Sequence, residues 1–73
     1  MNDNLNKIFG RKIAKLRQQQ QLSQEVLADR CGIHRTYMGA IERGEKSPTL
    51  NTIKKIANGL NISVRDLFTN ETE

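Results

Sequence analysis

The apolar residues of this chain recur at intervals of three and four. Leu5, Ile8, Phe9, Ile13 and Leu16 form one such stripe, with Lys and Arg on the intervening positions, and predict an amphipathic helix over residues 5–19. Asn2, Asp3 and Asn4 precede it and offer capping side chains. The run Gln18-Gln19-Gln20-Gln21 reads as the solvated end of that helix. A second, shorter helix lies between Ser23 and Gly32. Ser23 can accept a bond from an orphan first-turn amide, and Glu25 suits the positive helix end. Gly32 can take the left-handed conformation that closes a helix. At barely two turns this helix cannot persist alone in water, so packing must hold it.

A third helix begins after His34, at Arg35, and stops at Gly44. Ile33, Met38 and Ile41 can face inward together, leaving Arg35, Thr36, Gly39, Ala40 and Arg43 on the outer side. Ser47-Pro48-Thr49 is a turn with Thr49 as the next cap. Leu50, Ile53, Ile56, Ala57 and Leu60 then predict a fourth helix over about residues 50–59, ended by Gly59 and Asn61. Ser63 and Asp66 have capping-box spacing and open a short fifth helix, Val64–Phe68. No segment alternates with the period of a strand. The expectation is an all-α, five-helix bundle forming one domain over residues 1–73, with an ordered core at 5–68 and a frayed acidic tail at 69–73.

At 73 residues the chain can build only a small core, which argues against a roomy catalytic cleft with its own lid. Its charge is unevenly spread. Residues 5–22 carry Lys7, Arg11, Lys12, Lys15 and Arg17 without an acid, whereas no base follows Asp66. A basic body with an acidic end fits a polyanionic partner. Apolar runs are no longer than three residues, so nothing spans a membrane, and Met1-Asn2-Asp3-Asn4 leads straight into a mixed segment without a secretory core. The expected location is the cytoplasm, in association with the nucleoid. Cys31 and His34 are single, which leaves no disulfide and no zinc set. Cys31 reads as a small hydrophobe against the core, and His34 as a cap or a solvent-facing residue. No Ser-His-Asp set, phosphate loop or metal motif appears, so the chain is expected to be no enzyme and to need no cofactor.

Two short helices joined by Gly32-Ile33-His34 describe a helix-turn-helix, made of helices 2 and 3. Ala28 would keep the two helices close, Gly32 would allow the tight reversal, and Ile33 would plug the junction. An ordinary αα-hairpin could use the same residues. The longer pattern narrows the choice: Leu22-Ser23-Gln24-Glu25-x-Leu27-Ala28-x3-Gly32-x3-Thr36-Tyr37-x3-Ile41-Glu42-Arg43-Gly44, then Ser47-Pro48-Thr49-Leu50. It resembles the phage repressor and Cro-type (XRE-like) family of DNA-binding domains, which are five-helix bundles. Within that family, His34-Arg35-Thr36-Tyr37 with Ile41-Glu42-Arg43 is most similar to the controller proteins of restriction–modification systems, small homodimers that regulate their own promoter and the endonuclease gene. Two departures stand out. The family commonly has Gly where this chain has Gln21, at a cost of about 1 kcal/mol if the backbone there is left-handed. Lys46 and Ser47 replace a frequent Arg and Asn, which leaves the operator sequence open.

The resemblance implies a partner, double-stranded operator DNA, and roles for named residues. Arg35 is placed to take guanine O6 and N7, and Thr36 to bond a base or offer its methyl to thymine. Tyr37 is placed to reach a phosphate or to pack beneath helix 1. Gly39 and Ala40 would let the helix enter the groove by being small. Arg43, Lys46 and Asn51 are expected at phosphates, as are Ser23 and Gln24 at a helix N-terminus. Arg17 and Glu42 are expected to form a structural ion pair that holds helix 3 to helix 1. A homodimer would set two recognition helices about 34 Å apart. Its surface is expected at Ile62, Val64, Leu67 and Phe68, more apolar than an isolated bundle needs. RNA polymerase is a further candidate partner. The alternative is a protein-interaction module, antitoxin-like or coactivating, built on the same bundle. An RNA-binding domain is disfavoured, because Phe9, Tyr37 and Phe68 are the only aromatics.

Overall fold

The computed structural model describes residues 4–69 and contains five helices: α1 (Asn4–Gln19), α2 (Gln24–Cys31), α3 (Arg35–Glu42), α4 (Leu50–Leu60) and α5 (Val64–Phe68). No strand occurs among the described residues. Asn4 is already helical, and the other candidate caps of α1, Asn2 and Asp3, lie outside the described residues, as does most of the expected tail (70–73). The remaining starts are capped by the side chains that the spacing pointed to. Ser23 accepts from the Val26 amide, Thr49 from Thr52, and Ser63 from Asp66, whose carboxylate accepts in return from the Ser63 amide.

Four helix ends share one closure. A residue in the left-handed region, Gln21, Gly32, Gly44 or Asn61, bonds back to the third residue before it. The following amide, that of Leu22, Ile33, Glu45 or Ile62, reaches the carbonyl five residues back. This is the Schellman pattern, whose final residue usually folds an apolar side chain onto the helix it ends. Leu22, Ile33 and Ile62 do so and pack against the core. Glu45 is the polar exception. Gln21 thus occupies the left-handed position where glycine would be unstrained (φ 60°).

The core is filled by Ile13 of α1, Leu27 of α2, Met38 and Ile41 of α3, and Ile56 and Leu60 of α4. α2 lies along α4, and α3 is held between α1 and α2. Two glycines permit the closest approaches. A side chain at Gly10 would collide with the carbonyl oxygens of Ile41 and Glu42, and one at Gly59 with the sulfur and backbone of Cys31. Gly59 therefore does not end α4, as its position in the sequence implied. It is buried within the helix, and Asn61 makes the stop. Cys31 is buried, and desolvation pushes its thiol up to about 11, partly offset by a backbone hydrogen bond from Gly59.

Three expectations about burial fail. Leu50, the first residue of α4, is 84% exposed although Thr52 in the same turn is buried; Leu5 and Ile8 at the start of α1 are exposed as well. Leu67, expected at a dimer surface, is only 2% exposed and belongs to the core that α5 closes against α1 and α4. Ile62 is partly buried against the same core, whereas Val64 and Phe68 are exposed. Phe68 stacks on Phe9 with ring centroids 5.3 Å apart and planes inclined by 17°. The glutamine run is not wholly solvated either, since the Gln20 carboxamide donates to the last carbonyl of α4, Leu60 O, at 2.8 Å.

Candidate nucleic-acid interface

The site is built on the α2–turn–α3 unit. Gly32 (φ 71°) reverses the chain, the Ile33 amide bonds to Ala28 O at 3.0 Å, and the Ile33 side chain packs on the core. His34 then starts α3 as its cap, with Nδ1 accepting from the Thr36 amide at 3.1 Å. Ala28 is buried where α2 faces inward. The unit leaves Arg35 and Thr36 exposed at the amino end of α3. Arg35 Nη1 lies 3.5 Å from Glu25 Oε1, and both side chains are largely exposed. Such a surface pair is weak, so the guanidinium is available to a stronger acceptor.

What fixes the attitude of α3 is a carboxylate beneath it. Arg17 Nε and Nη2 donate to Glu42 Oε2 and Oε1 at 2.8 and 3.1 Å, a fork-on-fork contact with side chains only 13% and 5% exposed. Arg17 Nη1 also donates to Leu22 O at 2.8 Å, and Gln24 Nε2 donates to Glu42 Oε1 at 2.9 Å. One network therefore ties the end of α1, the turn after it, the first residue of α2 and the last residue of α3. It also keeps the Glu42 carboxylate away from the exposed face.

Other residues of the expected interface fall differently. Gly39 and Ala40 are buried and do not form an open outer side. A side chain at Gly39 would stand 3.1 Å from Arg43 Nη1 and 3.5 Å from Gln24 Oε1, so surface side chains roof that position. Tyr37 is half-buried against the core. The Ser23 hydroxyl is exposed but engaged as a cap, and the Gln24 amide group is engaged by Glu42. Lys46 and Asn51 are exposed, in the loop after α3 and the first turn of α4. Arg43 is exposed and donates through Nε and Nη2 to both oxygens of Glu45, at 2.9 and 3.1 Å. That pair raises the Arg43 pKa and lowers that of Glu45, chiefly through the hydrogen bonds.

Arg35, Arg43, Gln24 and the first turn of α2 thus share one face, with Glu25 paired to Arg35 and Glu45 to Arg43. Sequence reasoning missed both carboxylates. The sequence ties Glu25 to the positive end of α2, and nothing in the spacing of Glu45 marks it as the partner of Arg43. The face offers one exposed guanidinium at each end of a short, slim helix, Arg35 at its start and Arg43 at its close, an arrangement suited to phosphates and base edges rather than to bond-making chemistry.

Comparison with known proteins agrees with this geometry. A helix-turn-helix family model matches residues 13–67. The control protein C.BamHI of Bacillus amyloliquefaciens is 40% identical over 69 residues, covering 93% of this chain and 85% of that protein. The control protein C.SmaI of Serratia marcescens is 40% identical over 67 residues, covering 92% and 80%. Among solved structures, the restriction–modification controller protein C.AhdI of Aeromonas hydrophila superimposes with a TM-score of 0.85 at 41% identity, over 86% of this chain and 96% of that one. The chain belongs to the helix-turn-helix family of DNA-binding transcriptional regulators that includes the restriction–modification controller proteins.

Proposed function

We propose that the chain regulates transcription by binding, as a homodimer, a two-fold symmetric operator, in the manner of a restriction–modification controller. The observation that carries this reading is the pair Arg35 and Thr36, exposed at the amino end of a helix whose orientation the Arg17–Glu42 contact fixes. Arg35 reads a guanine and Thr36 an adjacent base; Arg43, Lys46 and Asn51, with the start of α2, hold phosphates and set the register. Gly39, Ala40 and half-buried Tyr37 serve by keeping the helix slim and seated. The regulator works by occupancy without catalysis or a cofactor, in the cytoplasm and on the nucleoid. No helix among the described residues is long and apolar enough to cross a membrane.

Dimerisation follows from the reach of one short helix, which reads too few base pairs to be selective alone. Exposed Val64 and Phe68, with Ile62 at their edge, support an interface on α5. Leu5 and Ile8 extend it along an open groove of about 860 Å³ that also borders Phe68. A dimer bound at a promoter also lies within reach of RNA polymerase. Selection of binding sites from random duplexes tests the reading. The expected product is a pair of inverted half-sites centred about one helical turn, 34–36 Å, apart. Failure to enrich any sequence, with tight binding to a protein instead, would favour an interaction module.

A further inference from the structure

We infer that Glu45 is an internal competitor for the phosphate that Arg43 is proposed to bind, and that it limits the protein's affinity for DNA. The inference rests on the DNA-binding reading and deepens it. Three observations carry it. Glu45 stands at the closing position of α3, where the equivalent residues of α1, α2 and α4 are the apolar Leu22, Ile33 and Ile62. Its backbone is fixed there by the bond from its amide to Ala40 O at 2.9 Å, so the carboxylate is presented from a rigid turn. It accepts both Nε and Nη2 of Arg43 at 2.9 and 3.1 Å, the fork geometry that a phosphate would otherwise satisfy. The guanidinium is thereby held over Gly39, on the same face as Arg35 and beside Gln24.

Both side chains are more than half exposed, so the pair is weak enough to exchange. When Arg43 turns to a phosphate, Glu45 is left as a bare carboxylate beside the DNA backbone and must take up a cation. That uptake offsets one of the counterions released on binding. The arrangement lowers affinity for every sequence equally, because phosphate contacts carry no sequence information. It reduces the time spent on random DNA without altering the preference for the operator.

The test is Glu45→Gln, with Arg43→Ala and the double variant, titrated against a selected operator and a random duplex over a range of salt. Glu45→Gln is expected to tighten binding to both duplexes by the same factor, about two- to fivefold. The plot of log affinity against log salt should steepen by about 0.9. In the Arg43→Ala background the gain should vanish. Three outcomes overturn the inference: unchanged affinity and slope, weaker operator binding, or an equal gain without Arg43, which would mean simple repulsion at a distance. A gain confined to the operator overturns the phosphate assignment on which it depends. If the unaltered protein binds neither duplex at any salt, the DNA-binding reading falls first and the inference with it; binding without the Glu45 effect removes the inference alone.

Discussion

Gln21 holds a left-handed backbone angle (φ 60°) that an L-residue with a Cβ adopts at a cost. The hydrogen bonds of the turn, Gln21 N to Gln18 O and Leu22 N to Arg17 O, keep it there. Gln21→Gly is expected to raise the stability by about 0.5–1 kcal/mol in urea unfolding; a loss of stability would mean that the glutamine side chain contributes more than the angle costs. At this scale the sequence was partly legible. Every cap involving Ser or Thr could be named, because a hydroxyl before an apolar stripe has one common use. Gly59 was misread as a helix stop, and Gly10 drew no notice, since close approach depends on which helix crosses above and no local pattern records that. Leu50 was misread for a related reason: its spacing fits the stripe of α4, yet the bundle does not extend to cover it.

The elements themselves were read almost to the residue, with α4 one residue longer than expected and α1 starting at Asn4. Short helices bounded by a hydroxyl and a left-handed stop leave little freedom in their limits. The exposed sector of α3 was read too broadly, because the cover that Arg43 and Gln24 give Gly39 is a property of side-chain packing and not of period. The resemblance to repressor domains placed Arg17 opposite Glu42; the helical pattern by itself would have left them as two charges 25 residues apart. That contact lends itself to a decisive cycle. Arg17→Met leaves the Glu42 carboxylate buried with only Gln24 to satisfy it and should cost about 3–5 kcal/mol, close to the whole stability of so small a domain. Arg17→Met with Glu42→Leu should be markedly less damaging than Arg17→Met alone. If the double variant is the worse of the two in urea unfolding, Glu42 stabilises the fold even without Arg17, and a stranded carboxylate is not what the single variant suffers from.

For the whole molecule, α5 has two faces. Leu67 closes the core, whereas Val64 and Phe68 are exposed, Phe68 in the groove that Leu5 and Ile8 also line. Sequence alone grouped Leu67 with Phe68, because five residues of helix are too few for their spacing to reveal an inner and an outer side. The two positions should now separate in experiment. Phe68→Asp is expected to yield a folded monomer in sedimentation, with modest destabilisation from the lost stack on Phe9. Leu67→Asp should abolish folding by circular dichroism, because it buries an unpaired charge. A Phe68→Asp variant that stays dimeric would move the interface off α5.

The claim on which the functional account depends is that α3 reads bases through Arg35. Binding of Arg35→Ala to a selected operator and to a random duplex, at one salt concentration, tests it most directly. The account expects affinity for the operator to fall by roughly 5- to 150-fold, the equivalent of about 1–3 kcal/mol for one bidentate base contact, while binding to the random duplex changes little. An unchanged ratio of the two affinities would contradict it.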